Sequence, residues 1–265
     1  MIEIMGVVNV TPDSFSDGGE FFTRDTAIEH GRDLMALGAT ILDVGGESTR
    51  PGSQPVGAEE ELRRALPAIT QLAADGYRIS VDTYRAAVAA RAIDEGATII
   101  NDVSGGLADP EILRVTAASD AEFLIGHWRG PSADMYAKAT YEHIGTEVAA
   151  ELSRRVDQAL AAGIDASRII LDPGIGFAKS GEQNWAMLRE IEAVTALGFR
   201  VLIGTSRKRF LEQALGSDAS RDRRDLATAV TSVLAQRAGA WGVRVHDVTA
   251  TRDALAVLDA WDGDR

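Results

Sequence analysis

Cysteine is absent from the chain. Without a thiol there is no disulfide framework, no thiolate nucleophile and no Cys-ligated zinc site. No run of about 18 apolar residues occurs, so no membrane-spanning helix is expected. The opening residues, MIEIMGVVNV, lack the basic segment and apolar stretch of a secretion signal, and a cytoplasmic location is the expectation. Positive charge is scarce as well: 27 Lys and Arg stand against 40 Asp and Glu, a net charge of −13. That balance argues against nucleic acid and against a membrane surface as partners. It leaves room for an anionic substrate where cations gather in one cleft.

What is present is an alternation. The 265 residues are 45% hydrophobic and 25% charged, ordinary for a folded chain and enough for one large core, so 1–265 reads as a single domain. Short β-branched runs (EIMGVV, TILDV, YRISVD, ATIIND, AEFLIG, RIILD, RVLIG and WGVRV) alternate with Ala/Leu-rich runs at helical spacing. The helix candidates are Thr26 to Leu37, Glu59 to Ala74, Ala86 to Glu95, Glu142 to Ala162, Asn184 to Ala196, Asp225 to Ala238 and Ala250 to Ala260. Gly38, Gly76, Gly96, Gly163 and Gly198 follow helical runs, where a left-handed residue ends a helix cheaply. The strands are continuous apolar runs rather than clean alternations, which suits a parallel sheet covered on both faces. About eight βα units predict an α/β fold, a single (β/α)8 TIM barrel. A doubly wound open sheet is the alternative, because a single sequence does not display closure.

In such a barrel the active site lies at the C-terminal ends of the strands. Strand one carries Asn9, strand two Asp43, strand three Asp82, strand four Asn101 and Asp102, strand five His127 and strand six Asp172. Strand seven runs into TSRKRF, and strand eight ends in Arg244, His246 and Asp247. The opposite strand ends read as bland. A helix cap accounts for any one of these residues, Asp82-Thr83 for instance, and turn chemistry for Asn101-Asp102. Caps do not account for a whole ring of Asn, Asp, His and Arg.

The loops after strands seven and eight often hold phosphate in this fold. Here they carry Ser206, Arg207, Lys208, Arg209, Arg244 and His246, and the run after Ser206 reads as opening a helix. A basic triplet at a helix N-terminus works against the helix dipole, which favours an anion site over a solvated helix start. Asp82, Asn101 and Asp172 suit a planar heterocycle rich in N–H and C=O groups, since a carboxylate pairs with an amino-imino edge and an amide both donates and accepts. Two long loops, one following Asn9 and the other Gly45 to Gly57, exceed the usual length of βα connections and carry Phe15 and Arg50. His127 and Trp128 read equally as core and as ligand.

Together MGVVNVTPDSFSDGG, DVGGESTRPG, SVDT, NDVSGG, LDPGIGF, SRKRF and RVHDV resemble the dihydropteroate synthases, from about Met5 to Ala260. The resemblance implies a homodimeric TIM barrel that joins p-aminobenzoate to 6-hydroxymethyl-7,8-dihydropterin diphosphate with release of diphosphate, using Mg²⁺. It implies that Asp82, Asn101, Asp172 and Lys208 hold the pterin, with Asp82, Asp172 and Lys208 catalytic. Asn9 would meet Mg²⁺ and the diphosphate, and Thr49, Arg50, Arg244 and His246 the diphosphate. Thr11, Pro12, Asp13, Ser14 and Phe15, with Ser48 and Pro51, would complete the p-aminobenzoate site. Arg209 stands where many members have a small hydroxyl residue, so the contact to the p-aminobenzoate carboxylate is open. The rival readings are a pterin-binding methyltransferase domain, a non-catalytic pterin-binding paralogue, and a Schiff-base aldolase using a Lys208 whose pKa the flanking arginines lower.

Overall fold

A computed structural model describes residues 2–10, 24–47, 56–130 and 139–263. In it β1 (Glu3–Asn9) is followed by α1 (Arg24–Ala36), β2 (Ile41–Gly45) by α2 (Ala58–Ala74), β3 (Ile79–Asp82) by α3 (Ala86–Asp94) and β4 (Ile99–Asp102) by α4 (Glu111–Ala117). Then β5 (Glu122–Gly126) leads to α5 (Ile144–Ala161), and β6 (Ile169–Asp172) to α6 (Gly181–Arg189) and α7 (Glu192–Thr195). Last come β7 (Arg200–Ile203), with α8 (Glu212–Leu215) and α9 (Arg221–Arg237), and β8 (Gly242–Val245), with α10 (Val248–Asp262). All strand pairs are parallel, and the strands close in chain order. β8 pairs with β1, Glu3 opposite Gly242 and Gly6 opposite Val245, which removes the open-sheet alternative.

Side chains alternate along each strand, so every second residue points into the barrel. Met5, Ile41, Ile99, Leu124, Ile170 and Leu202 meet there as a fully buried inner layer, with Trp241 packed against it. The intervening residues, such as Leu42, Val44, Val81, Ile100 and Phe123, face outward under the helices. α2 shows how the outer layer is built. Ala65, Ala68, Ile69 and Leu72 recur at helical spacing as its buried face, and Glu59 to Glu61 occupy the first turn, at the positive end of the dipole.

Three details differ from the sequence reading. α9 starts at Arg221, before the first apolar residue of the periodic pattern, because Ser220 caps it by accepting from the Arg223 N–H. The run Asn184 to Ala196 is two helices, interrupted where the Glu190 carboxylate turns to accept the Gly145 N–H of α5 at 2.9 Å. The N-terminal ends of the strands are not bland. Arg78 and Arg200 each take one oxygen of Glu122, Arg78 also reaches Glu3 at 3.8 Å, and both guanidinium groups stack on Trp241, 5.7 and 5.2 Å from its ring centroid.

Candidate active site

The strand register puts three of the candidate positions, with Gly45 between them, on one level at the C-terminal mouth. Asn9 lies opposite Gly45, Gly45 opposite Asp82, and Asp82 opposite Asn101. Gly45 keeps this level open: a Cβ there would sit 3.7 Å from Asn9 Oδ1 and 3.8 Å from Asp82 Oδ2. Asp172 ends β6 opposite Gly126. The helix-cap reading of Asp82 falls away, because the first free N–H of α3, on Ala86, is taken by Asp109 at 2.8 Å. Asp102 is turn chemistry, its carboxylate accepting from the Ser104 N–H and hydroxyl and from the Gly106 N–H, each at 2.7 Å.

Beneath this ring lies Asp43, fully buried, which the site assignment from sequence passed over. It accepts from Arg244 Nε at 2.6 Å, from Ser80 Oγ at 2.6 Å, and from Asn101 Nδ2 at 3.3 and 3.2 Å. It therefore fixes which end of the Asn101 amide is which, and leaves Oδ1 as the acceptor for a ligand. Arg244 reaches on to Asp82 through Nη2 at 3.1 Å. Burial pushes the Asp82 carboxyl up to about 7, against the pull of Arg244. Burial also opposes the Arg244 charge, but Asp43 and Asp82 outweigh it and raise its pKa.

Across the mouth, burial raises the Asp172 pKa, while Lys208 and the Gly174 N–H, which donates to Oδ1 at 2.7 Å, act against that rise. Lys208 comes down to about 8, chiefly through burial rather than through flanking arginines. Its ammonium donates to the Ile175 carbonyl and lies 4.8 Å from the centre of the Phe177 ring. Gly204 separates it from Arg244, a Cβ there being 3.7 Å from Lys208 Nζ and 3.8 Å from Arg244 Cβ. His246 joins just past β8: its backbone N–H donates to Ser206 Oγ at 3.1 Å, and Ser206 Oγ lies 2.9 Å from its Nδ1, which fixes the orientation of the ring.

The basic triplet divides. Arg207 has a left-handed backbone, φ +55°, and turns away to a two-pronged pair with Asp225 at 2.6 and 2.8 Å. Arg209 is exposed. No α-helix opens after Ser206: Arg209–Leu211 is one 3-10 turn, followed by the four residues of α8. The helix terminus expected there as an anion site is therefore absent, and the cationic side chains nearby that face the mouth are Lys208 and Arg244. Thr11, Pro12, Asp13, Ser14, Phe15, Ser48, Thr49, Arg50 and Pro51 lie outside the described residues.

Lys179 was missed altogether. It is 1% exposed, and its ammonium donates to His127 Nδ1 at 3.0 Å and to the carbonyls of Gly174 and Phe177 at 3.1 and 3.2 Å. His127 in turn lies 3.0 Å from Glu151 through Nε2, and Arg129 Nη2 holds the other Glu151 oxygen at 2.6 Å. A lysine after a glycine-rich run reads as solvated, and nothing in its spacing marks it otherwise. Asp43 was readable: it stands two residues before Gly45 and so shares its face. Among the described residues no group of three or more acidic or His side chains is placed to hold a metal ion.

The chain matches the family described as pterin binding enzyme over residues 5–246. It is 48% identical to the dihydropteroate synthase of Mycobacterium leprae, covering 98% of this chain and 93% of that one. Its fold superposes, with a TM-score of 0.91 and 41% identity, on the Xanthomonas albilineans dihydropteroate synthase solved with 4-aminobenzoic acid, covering 98% and 93% of the two chains. A structure of the Xanthomonas albilineans enzyme in complex with 7,8-dihydropteroate matches at 0.87 and 38% identity, covering 98% and 94%.

Proposed function

The chain belongs to the dihydropteroate synthases, a family of pterin-binding enzymes, and we propose that the mouth described above carries their reaction. p-Aminobenzoate is joined to (7,8-dihydropterin-6-yl)methyl diphosphate, giving 7,8-dihydropteroate and diphosphate for folate synthesis. The observation that carries the assignment is a pair of half-buried carboxylates, Asp82 and Asp172, held with raised pKa on either side of an open level that Asn101, Lys208 and Arg244 also line.

A half-buried carboxylate short of partners is matched by an edge that donates two hydrogen bonds, as the amino-imino side of a pterin does. Asp82, Asn101, Asp172 and Lys208 take that ring. As the methylene–oxygen bond lengthens, its electron pair leaves on the diphosphate oxygen and positive charge spreads from the methylene into the pterin. Asp82 and Asp172 stabilise that charge where it develops. Arg244 uses two of its donors on Asp43 and Asp82, and a guanidinium has five, so it keeps N–H groups for phosphate oxygens alongside His246. The amine of p-aminobenzoate then forms the new C–N bond with its lone pair and gives up a proton. It is a neutral nucleophile and needs no strong base.

Mg²⁺ is held in most phosphate sites by one or two protein oxygens, with phosphate and water completing the shell. Asn9, at the level of Asp82, offers one such oxygen. When bound, the ion offsets the charge of the leaving diphosphate. By resemblance, Thr49 and Arg50 are assigned to the diphosphate, and Thr11 to Phe15, Ser48, Pro51 and the neighbourhood of Arg209 to p-aminobenzoate. The chain acts as one unit over 1–265. No helix among the described residues is long and apolar enough to cross a membrane, and the cytoplasm is its proposed location. The proposed dimer surface is the face of α9 and α10. Leu226, Val230 and Leu234 form a stripe on α9, Val257 and Trp261 one on α10, and each is more than half exposed.

The test is a diphosphate-release assay with the pterin diphosphate, p-aminobenzoate and Mg²⁺. Release that depends on p-aminobenzoate and yields dihydropteroate is the expected result. Release indifferent to p-aminobenzoate at saturation overturns the assignment.

A further inference from the structure

The loop after β6, residues 173–178, aims two site residues at once. Its Gly174 N–H binds the Asp172 carboxylate, its Ile175 carbonyl accepts from Lys208, and its Phe177 ring lies against the same ammonium. The backbone that achieves this is tightly wound, with left-handed φ at Gly174 (+67°) and at Ala178 (+48°). Gly174 also presses on β5: a Cβ there would lie 2.4 Å from the His127 carbonyl oxygen. A non-glycine residue in this region costs about 1 kcal/mol or more, so Ala178 must be held from outside.

The loop is closed by the Phe177 N–H on the Gly174 carbonyl at 2.9 Å, Tyr141 holds the Ala178 carbonyl at 2.9 Å, and Lys179 ties the same turn to His127 beyond β5. Its ammonium reaches back to the carbonyls of Gly174 and Phe177, and its third donor goes to His127 Nδ1. An ammonium has three N–H groups, and here all three have neutral acceptors; burial brings the Lys179 pKa down to about 7, against the pull of Asp172. No carboxylate pairs with Lys179 among the described residues. The groups facing it are His127, Asp172, Lys208, Arg129, Glu151 and Tyr141. His127 can accept only while neutral. Burial and Lys179 bring its pKa down to about 4, and Glu151 takes its Nε2–H, so the imidazole keeps one tautomer.

We propose that Lys179 is a positioning residue for this reaction: by clamping Gly174 and Phe177, with His127 as its obligatory acceptor, it fixes the loop that orients Asp172 and Lys208. The inference rests on the functional reading above and deepens it.

Lys179→Met removes the three donors and keeps the stem. The expected outcome is a folded protein whose kcat falls and whose KM for the pterin diphosphate rises, about 10- to 100-fold in kcat/KM, with KM for p-aminobenzoate within about threefold. His127→Asn keeps an acceptor where Nδ1 was and should hold activity within about threefold, while His127→Leu should fall as far as Lys179→Met, because a packing role would not tell Asn from Leu by its acceptor. The double variant Lys179→Met/His127→Leu should be no worse than either single one. Independently of any activity, the Gly174 and Gly176 amides, bonded to Asp172 and Asn184, should exchange about tenfold faster in Lys179→Met. If the wild type lacks p-aminobenzoate-dependent release, the functional reading fails alone, and amide exchange still decides the clamp. Unchanged exchange overturns it, as does an unchanged KM for the pterin diphosphate alongside wild-type kcat.

Discussion

The two ends of the barrel use the same kinds of residue to opposite effect. At the N-terminal end, Glu3 and Glu122 face Arg78 and Arg200, two charges of each sign, and Trp241 covers both guanidinium groups. Arg200 also donates to the Ser167 carbonyl at 2.7 Å. At the C-terminal end, Asp43 and Asp82 share one partner, Arg244, and Asp172 and Lys208 shift each other without closing an ion pair. Charges matched one to one under an aromatic cover form a plug. At the mouth, desolvation holds Asp82 and Asp172 at raised pKa values, and a ligand that brings N–H groups and positive charge offsets that cost. The lesson is that charge at a strand end is not itself a functional sign. Incomplete pairing is.

The largest effect expected is at the mouth. Asp172→Asn should lower kcat/KM by about 10²- to 10³-fold, and Asp82→Asn by a similar factor, since each removes the carboxylate aimed at the developing cation. Neither should cost stability, and for Asp82→Asn the sign depends on pH. The Asp82 carboxyl titrates near 3.8 in an unfolded chain and about 7 in place. Between those values the native state binds the extra proton, so this group lowers stability as pH rises from about 4 to 7 and the deficit stays above 7. The melting temperature of Asp82→Asn relative to wild type should therefore climb across that window. A difference that is flat or falls with pH breaks the comparison.

The plug should behave in the reverse way. Glu122→Gln leaves two arginines stacked on one ring with a neutral amide between them. These groups are partly exposed, so the expected loss is about 1–3 kcal/mol rather than the larger cost of a fully buried pair. Denaturant melts should show that loss while kcat/KM stays within about twofold of wild type. A drop in turnover comparable to that of Asp172→Asn would mean that the two ends are not separate devices.

The sequence displayed the mouth better than the plug for a physical reason. Asn9, Asp82, Asn101 and Asp172 end apolar runs, where a polar residue stands out, and their loops carry recognisable glycines. Glu3, Arg78, Glu122 and Arg200 begin runs, where a charge looks like ordinary flanking solubility until closure of the sheet brings four distant segments under Trp241. The triplet Arg207 to Arg209 could not be divided from sequence because its division depends on one left-handed φ. Lys179 was hidden by its type, since a lysine is almost never fully buried. Asp43 lay in plain view, two residues inside β2, and needed only the period of two to be placed in the mouth.

Asp43 tests the boundary between the two kinds of charge, since it sits in the mouth yet is paired as fully as the plug. Asp43→Asn keeps the shape but loosens Arg244 and frees the Asn101 amide to flip. It should reduce kcat/KM by about tenfold and stability by about 1–2 kcal/mol, both together. Losing only one of the two would assign Asp43 wholly to the site or wholly to the scaffold.

The smallest effect concerns acid, and it separates the wall of the mouth from the plug, which contains no histidine. His127 titrates at 6.5 in an unfolded chain and about 4 in place. Its stabilising contribution is full above 6.5 and is lost as pH falls toward 4, because the unfolded state then takes a proton that the native site refuses. At pH 5.5 one unit of that gap is open, a cost of about 1 kcal/mol. His127→Asn has no such proton to gain. Whatever the stability difference between wild type and His127→Asn at pH 7.5, it should move about 1 kcal/mol in favour of the variant by pH 5.5 in urea melts. Every other titrating group is common to both proteins, Asp82 and Glu151 included, so their contributions cancel to the extent that the network stays intact. A difference that holds constant from pH 7.5 to 5.5 would mean that His127 gains a proton as readily in the folded protein as in the unfolded chain, and the acceptor role assigned to its Nδ1 would have to be withdrawn with it.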